Sequence, residues 1–130
     1  MHPIKHSAQN LTQKKNAVAL KAFFNITQKW ALSSEQEKTL LGVPGSTYYH
    51  WKSKKEGALS PDTLERISYI LGIYKALRIL LPNEEAANKW IKKPNTAPLF
   101  NGKSALEKLM QGHVIDLADV RRYLDAERGW

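Results

Sequence analysis

The stretch Leu40-Leu41-Gly42-Val43-Pro44-Gly45-Ser46-Thr47-Tyr48-Tyr49-His50-Trp51 constrains this chain more than any other. An apolar pair meets a glycine, and a second helical pattern follows almost at once. Glycine takes left-handed backbone cheaply, so Gly42 ends one helix and turns the chain into the next. Ser34, with Glu37 three residues on, offers a capping box for the helix that leads in. Leu40 and Leu41 close that helix on its buried side, and Val43 drops back into the core. Tyr48 and Trp51, three apart, share the inner face of the second helix. Ser46, Tyr49, His50 and Ser53 are left on its outer face, with Lys52, Lys54 and Lys55 close behind. This order is that of a helix-turn-helix whose second helix is offered to the DNA major groove. Pro44 and Gly45 leave the start of that helix open, with Ser46 as one possible cap. An ordinary αα-hairpin has the same outline, so the rest of the chain must choose between them.

Charge favours the first reading. The 130 residues carry a net charge of +8, and residues 1–60 hold nine lysines against Glu35, Glu37 and Glu56. Residues 61–130 hold eleven basic and nine acidic side chains. The excess sits in the half that carries the motif, as a polyanion partner requires. The candidate DNA contacts are Ser46, Thr47, Tyr49, His50, Lys52, Lys54 and Lys55, with the basic loop from Lys52 to Leu59 placed to grip phosphates. A solvated lysine face explains the charge alone equally well.

No segment alternates with the period of a strand, so the chain reads all-α. Residues 1–10 lack periodicity and are expected to be a flexible arm. A helix is expected over Leu11–Leu32, with Val18, Ala22, Ile26 and Trp30 inward, Phe23 alongside, Phe23 and Phe24 read as core, and Lys14, Lys21, Asn25 and Gln28 facing water. Ser60-Pro61-Asp62 opens the next helix, whose stripe is Leu64, Ile67, Ile70 and Leu71, with a break or bend at Gly72. Pro82 stops it. Asn83 caps a helix through Trp90, Ser104 and Glu107 open another, and Asp116 begins the last. The expected division is an arm over 1–10, a helix-turn-helix domain with bracing helices over 11–81, and a second helical domain over 82–130. The absence of cysteine excludes disulfides and thiolate zinc sites and points to the cytoplasm. No apolar run is long enough to span a membrane, and the N-terminus lacks a signal-peptide core.

The second half carries a more specific pattern. Trp90-x-x-x-Pro94-Asn95 is followed by Leu99-Phe100-x-Gly102-x-Ser104-x-Leu106, then Gly112, then Val120-Arg121-x-Tyr123-Leu124. With Leu64-Glu65-Arg66-Ile67-Ser68 and Leu71-Gly72-Ile73-Tyr74-Lys75-Ala76-Leu77 upstream, it resembles the MbcA/ParS/Xre antitoxins over residues 30–130. The Leu-Leu-Gly-Val turn similarly resembles the Xre-type helix-turn-helix, with Pro44 where that type usually has a capping hydroxyl. The resemblance implies an antitoxin that pairs with a RES-domain, NAD-consuming toxin. It also implies repression of its own operon through operator DNA, and a homodimer. On this reading the toxin contacts are Thr96, Leu99, Phe100 and Lys103 in the loop, Arg121 and Arg122 on the last helix, and Arg128 and Trp130 at the tail. Arginine and tryptophan often dominate binding energy, and the tail is expected either to plug the toxin's cleft or to fold back on its own domain.

No phosphate-cradling glycine loop, nucleophile elbow or metal-spaced cluster occurs in the sequence, so neither catalysis, cofactor nor metal is expected. The competing reading is a stand-alone repressor whose second half dimerises or senses a ligand.

Overall fold

The computed structural model describes the backbone of residues 3–129 and the side chains of residues 11–129. The described residues form α1 (Pro3–Lys29), α2 (Ser34–Leu41), α3 (Gly45–Lys54), α4 (Pro61–Leu80), α5 (Glu84–Trp90), α6 (Ala105–Leu109) and α7 (Val114–Glu127). Among them extended pairing is limited to one isolated antiparallel bridge, Pro94 with Ser104. The fold is all-α, as the missing strand period implies. The backbone is already helical from Pro3, within the arm expected over residues 1–10, while Met1 and His2, like the side chains of residues 3–10, lie outside the described residues.

α1 buries Asn16, Leu20, Phe23, Phe24, Ile26 and Thr27, and Trp30 is buried just past its end. Leu20, Phe23, Phe24 and Thr27 follow the i, i+3, i+4, i+7 rule. Val18, expected on the inner face, is 66% exposed. The larger phenylalanines bury more apolar area per turn, so they set the rotation of the helix. Lys21, Asn25 and Gln28 face water as expected. The cap of α2 is Ser33 rather than Ser34. Its Oγ accepts from the Gln36 N–H at 3.2 Å, and Gln36 Oε1 accepts from the Ser33 N–H at 2.9 Å. The two adjacent serines permit either register, and the observed one keeps Glu37 out of the box. Gly42 ends α2 with φ of +67°, donating its N–H to Lys38 and Thr39.

α4 is the spine. α1, α2, α5 and α7 all pack against it, α7 over the greatest length. Ser60 caps it by accepting from the Thr63 N–H at 3.1 Å, and Pro61 occupies its first turn. Its buried face is Thr63, Ile67, Ile70, Ile73, Ala76 and Leu77, whereas Leu64 is exposed. Gly72 does not break the helix, which runs through it to Leu80. A Cβ there would overlap the guanidinium of Arg121 on α7, so the missing side chain makes a seat for that arginine.

Beyond α4, Asn83 and Ser104 cap α5 and α6 through the N–H groups of Ala86 and Glu107. The loop between them is closed by Asn95 N–H to Lys103 O at 3.0 Å and Gly102 N–H to Asn95 O at 2.8 Å. α7 starts at Val114, so Asp116 lies in its first turn and is not its cap. One hydrophobic core runs through both halves, from Leu20 and Tyr48 to Leu117 and Leu124.

The two glycines should respond differently to alanine. At Gly42 the left-handed backbone makes Gly42→Ala cost about 1–2 kcal/mol in denaturant unfolding. At Gly72, alanine gains about 1 kcal/mol of helix propensity but evicts the flexible tip of Arg121. Gly72→Ala should therefore stay within about 1 kcal/mol of wild type, and a larger loss would mean that the Arg121 seat is rigid.

Candidate functional site

α3 is held from below and open above. Tyr48 and Trp51 are buried, while Ser46, Tyr49, His50, Ser53 and Lys54 are exposed and Thr47 is half-buried. Tyr49, 57% exposed, rests its ring edge-on against Tyr48 at 4.9 Å between centroids. Its orientation is therefore set by the core while its hydroxyl end stays accessible. Pro44 is the N-cap and supplies no side-chain hydrogen bond, so Ser46 lies within the first turn.

Beneath α3 lies a feature with no counterpart among the expected site residues. Glu37 is 2% exposed, and its carboxylate takes four contacts. The hydroxyls of Thr27 and Tyr48 each donate to it at 2.5 Å, and Lys52 Nζ lies 3.0 and 3.1 Å from its two oxygens. A buried carboxylate is tolerable only with such a complete set of donors. These come from α1 and α3, so the ion ties both helices to α2. Burial, and then the hydrogen bond to Glu37, push the Tyr48 phenol up to about 12. The spacing did contain a signal, since Glu37 stands three and four residues before Leu40 and Leu41 and thus shares their inward face.

The three lysines after the motif are not equivalent. Lys54 is exposed with its charge outward. Lys52 neutralises Glu37 and lies 4.6 Å from the Phe24 ring centroid. Lys55 also sits over Phe24, at 5.0 Å, and donates to the Lys52 carbonyl. It occupies the left-handed cap of α3 with φ of 57°, a position where a non-glycine residue is strained.

The candidate residues of the second half divide in a similar way. Thr96, Leu99, Lys103 and Arg122 are exposed, Arg122 pairing with Asp119 at 3.2 Å. Phe100 is buried, edge-on to Trp90 and Tyr123 at 5.9 and 5.1 Å. It joins the loop to α7 from the inside. Arg121 and Arg128 both bond Asp125, at 3.1 and 3.4 Å, and Arg128 is largely covered. Trp130 lies outside the described residues, and so does the tail plug expected of it. Ile115, 58% exposed, shares the outward face of α7 with Arg122 and was hidden by placing the helix start at Asp116. Lys108 pairs with Asp116 at 3.1 Å and Asp119 at 3.3 Å. Burial opposes its charge, but the two carboxylates outweigh that and hold its pKa above the ordinary lysine value.

Arg66 links the halves. It bonds Asp62 at 3.0 Å and Gly112 O at 3.1 Å, and its guanidinium covers Gly42 at the end of α2. Among the described residues no histidine–carboxylate group is arranged to hold a metal, and no helix is long and apolar enough to cross a membrane.

Fold and site thus define a helix-turn-helix protein with a second helical module docked on the same spine. Residues 10–72 match the antitoxin Xre-like helix-turn-helix domain, and residues 76–129 match the antitoxin Xre/MbcA/ParS C-terminal toxin-binding domain. The chain is also 47% identical over 128 residues to the uncharacterized protein y4oB of Sinorhizobium fredii (strain NBRC 101917 / NGR234), covering 98% of this chain and 97% of that one. It belongs to the Xre/MbcA/ParS antitoxin family.

Tyr48→Phe should cost about 1–3 kcal/mol at neutral pH, because Glu37 loses a buried donor. The folded phenol titrates above its unfolded value, so its stabilisation is complete below about pH 10 and lost as pH rises towards about 12. Wild type should lose roughly 3 kcal/mol over that window and the variant visibly less. Parallel alkaline losses in denaturant titrations of both proteins would contradict this assignment.

Proposed function

We propose that this protein is the antitoxin of a toxin–antitoxin pair, neutralising a RES-domain, NAD-consuming toxin and repressing its own operon. One observation carries the proposal. An accessible polar face on α3 stands in the same chain as a module that matches a toxin-binding domain. α4 braces the helix-turn-helix up to Leu81 and carries the join to the toxin-binding part, whose own loop and helices follow from Pro82. Tyr49 and His50 meet base edges, Ser46 and Thr47 sit near the helix N-terminus beside phosphate, and Lys54 leads the phosphate contacts. Lys52 and Lys55 contribute less than their charge suggests, since one is matched by Glu37 and the other is held over Phe24.

On the other module, Thr96, Leu99, Lys103 and Arg122 form the toxin-facing surface, extended by Ile115. Phe100, Arg121 and Arg128 hold that surface in shape. The family resemblance is what points to the RES class of toxin and to a homodimer, and the lack of cysteine is what favours the cytoplasm. The stand-alone repressor is disfavoured by the match to a toxin-binding domain over residues 76–129.

Co-expression with the neighbouring gene's product tests the pairing. The two proteins should co-purify, and growth arrest by the partner should be relieved. Absence of both effects would sink the antitoxin role. For the reading helix, Tyr49→Ala with His50→Ala should weaken operator binding by about 1–3 kcal/mol per lost base contact while toxin binding persists. A gel shift unchanged from wild type would remove α3 as the reader.

A further inference from the structure

The first acidic residue of the chain is Glu35, so residues 1–34 hold five lysines and no carboxylate side chain. Lys29 is engaged with Tyr74 at 3.1 Å and Glu84 at 3.7 Å, on the side towards α4 and α5. Lys14 and Lys21 are different. Both are exposed, and among the described residues neither has a carboxylate within ion-pair distance. They are seven residues apart, and Asn25 and Gln28 follow at eleven and fourteen from Lys14, which places all four on one helix face. α1 residues 11–15 are exposed all round, so this part of the helix stands clear of the core.

That face leads directly to the reading helix. Lys21, Asn25 and Gln28 share an open cleft of about 660 Å³ with Lys52 and Lys55 at the end of α3. Glu37 also lines the cleft, but Lys52 already meets its charge. The result is a continuous basic strip from Lys54 and Lys55 onto α1. Seven helical residues span about 10 Å, close to three base-pair steps of duplex DNA. A strip meant only for solubility would mix both signs, as α7 does with Asp119, Arg122, Asp125 and Glu127.

We propose that α1 is a second DNA-contacting element, gripping the phosphate backbone beside the site read by α3. Lys14 and Lys21 neutralise phosphates, and the Asn25 and Gln28 amides donate to backbone oxygens nearer the groove. The contact carries no sequence information of its own and lengthens the footprint beside each bound α3. It rests on the DNA-binding reading given above.

The test compares Lys14→Gln with Lys21→Gln, made together, against wild type on two duplexes. One duplex carries the region upstream of the protein's own gene, and the other is the same region scrambled. The plot of log affinity against log salt should be shallower by about two units per bound protomer for both duplexes, at roughly 0.9 per phosphate contact. Hydroxyl-radical protection should be lost at the flank beside each bound α1 and kept at the centre. A control pair, Lys92→Gln with Lys93→Gln, makes the same change of charge after α5 and should leave the slope and footprint intact. The inference is overturned by a wild-type slope in the α1 variant, or by equal losses in both variants, which would reduce the effect to overall charge. Wild type that fails to bind either duplex at low salt would instead overturn the DNA-binding reading beneath it.

Discussion

A single buried carboxylate organises the helix-turn-helix half of this protein. Glu37 comes from α2, and its donors come from α1 (Thr27) and α3 (Tyr48 and Lys52). Moving a carboxylate from water into a core costs several kcal/mol unless its hydrogen bonds are replaced. Removing any helix therefore leaves that cost unmet, which makes the three-helix arrangement specific rather than merely compact. Apolar packing of Phe24, Leu40 and Trp51 supplies attraction but tolerates small rotations of α3. The short, directional bonds to Glu37 do not. The angle at which Tyr49 and His50 leave the surface thus follows from a contact on the opposite side of their helix.

The second half uses a different means. Its loop is closed by backbone bonds around Asn95, and Phe100 fixes it to α7 within the Trp90–Phe100–Tyr123 cluster. Arg121 and Arg66 lie over Gly72 and Gly42, filling notches where a side chain would otherwise stand. Long cationic side chains act here as packing material, with their charged ends met by Asp125 and Asp62. Arg121 and Arg128 both bond Asp125, whereas Arg122 faces outward.

Much of this was legible in the residues. Gly42, the inward pair Tyr48 and Trp51, the caps at Ser60, Asn83 and Ser104, and the stop after Leu81 all rest on local chemistry that one short window contains. The misreadings share a cause. Ser33 and Ser34 are equivalent until Glu37 is known to be buried, and that depends on Thr27 and Tyr48, ten and eleven residues away. Val18 and Leu64 are apolar and correctly spaced, yet larger or better-placed neighbours took the inner face. Gly72 looked like a breaker because its reason lies on α7, far along the chain. Charge type likewise says nothing of whether Lys52 or Lys54 is already spoken for.

The two family matches end and resume at residues 72 and 76, inside α4. The modules are therefore joined by continuous helix, and this has a geometrical consequence for how such chains can change. In a flexible linker, gaining or losing one residue alters only reach. Within α4 the same event rotates everything downstream by about 100° around the helix axis and advances it by about 1.5 Å. Arg66 would then miss Gly112, and α7 would miss Gly72. The junction is locked in phase, so its length can drift only in steps that restore the turn, and a swapped second module must arrive with its helical register intact.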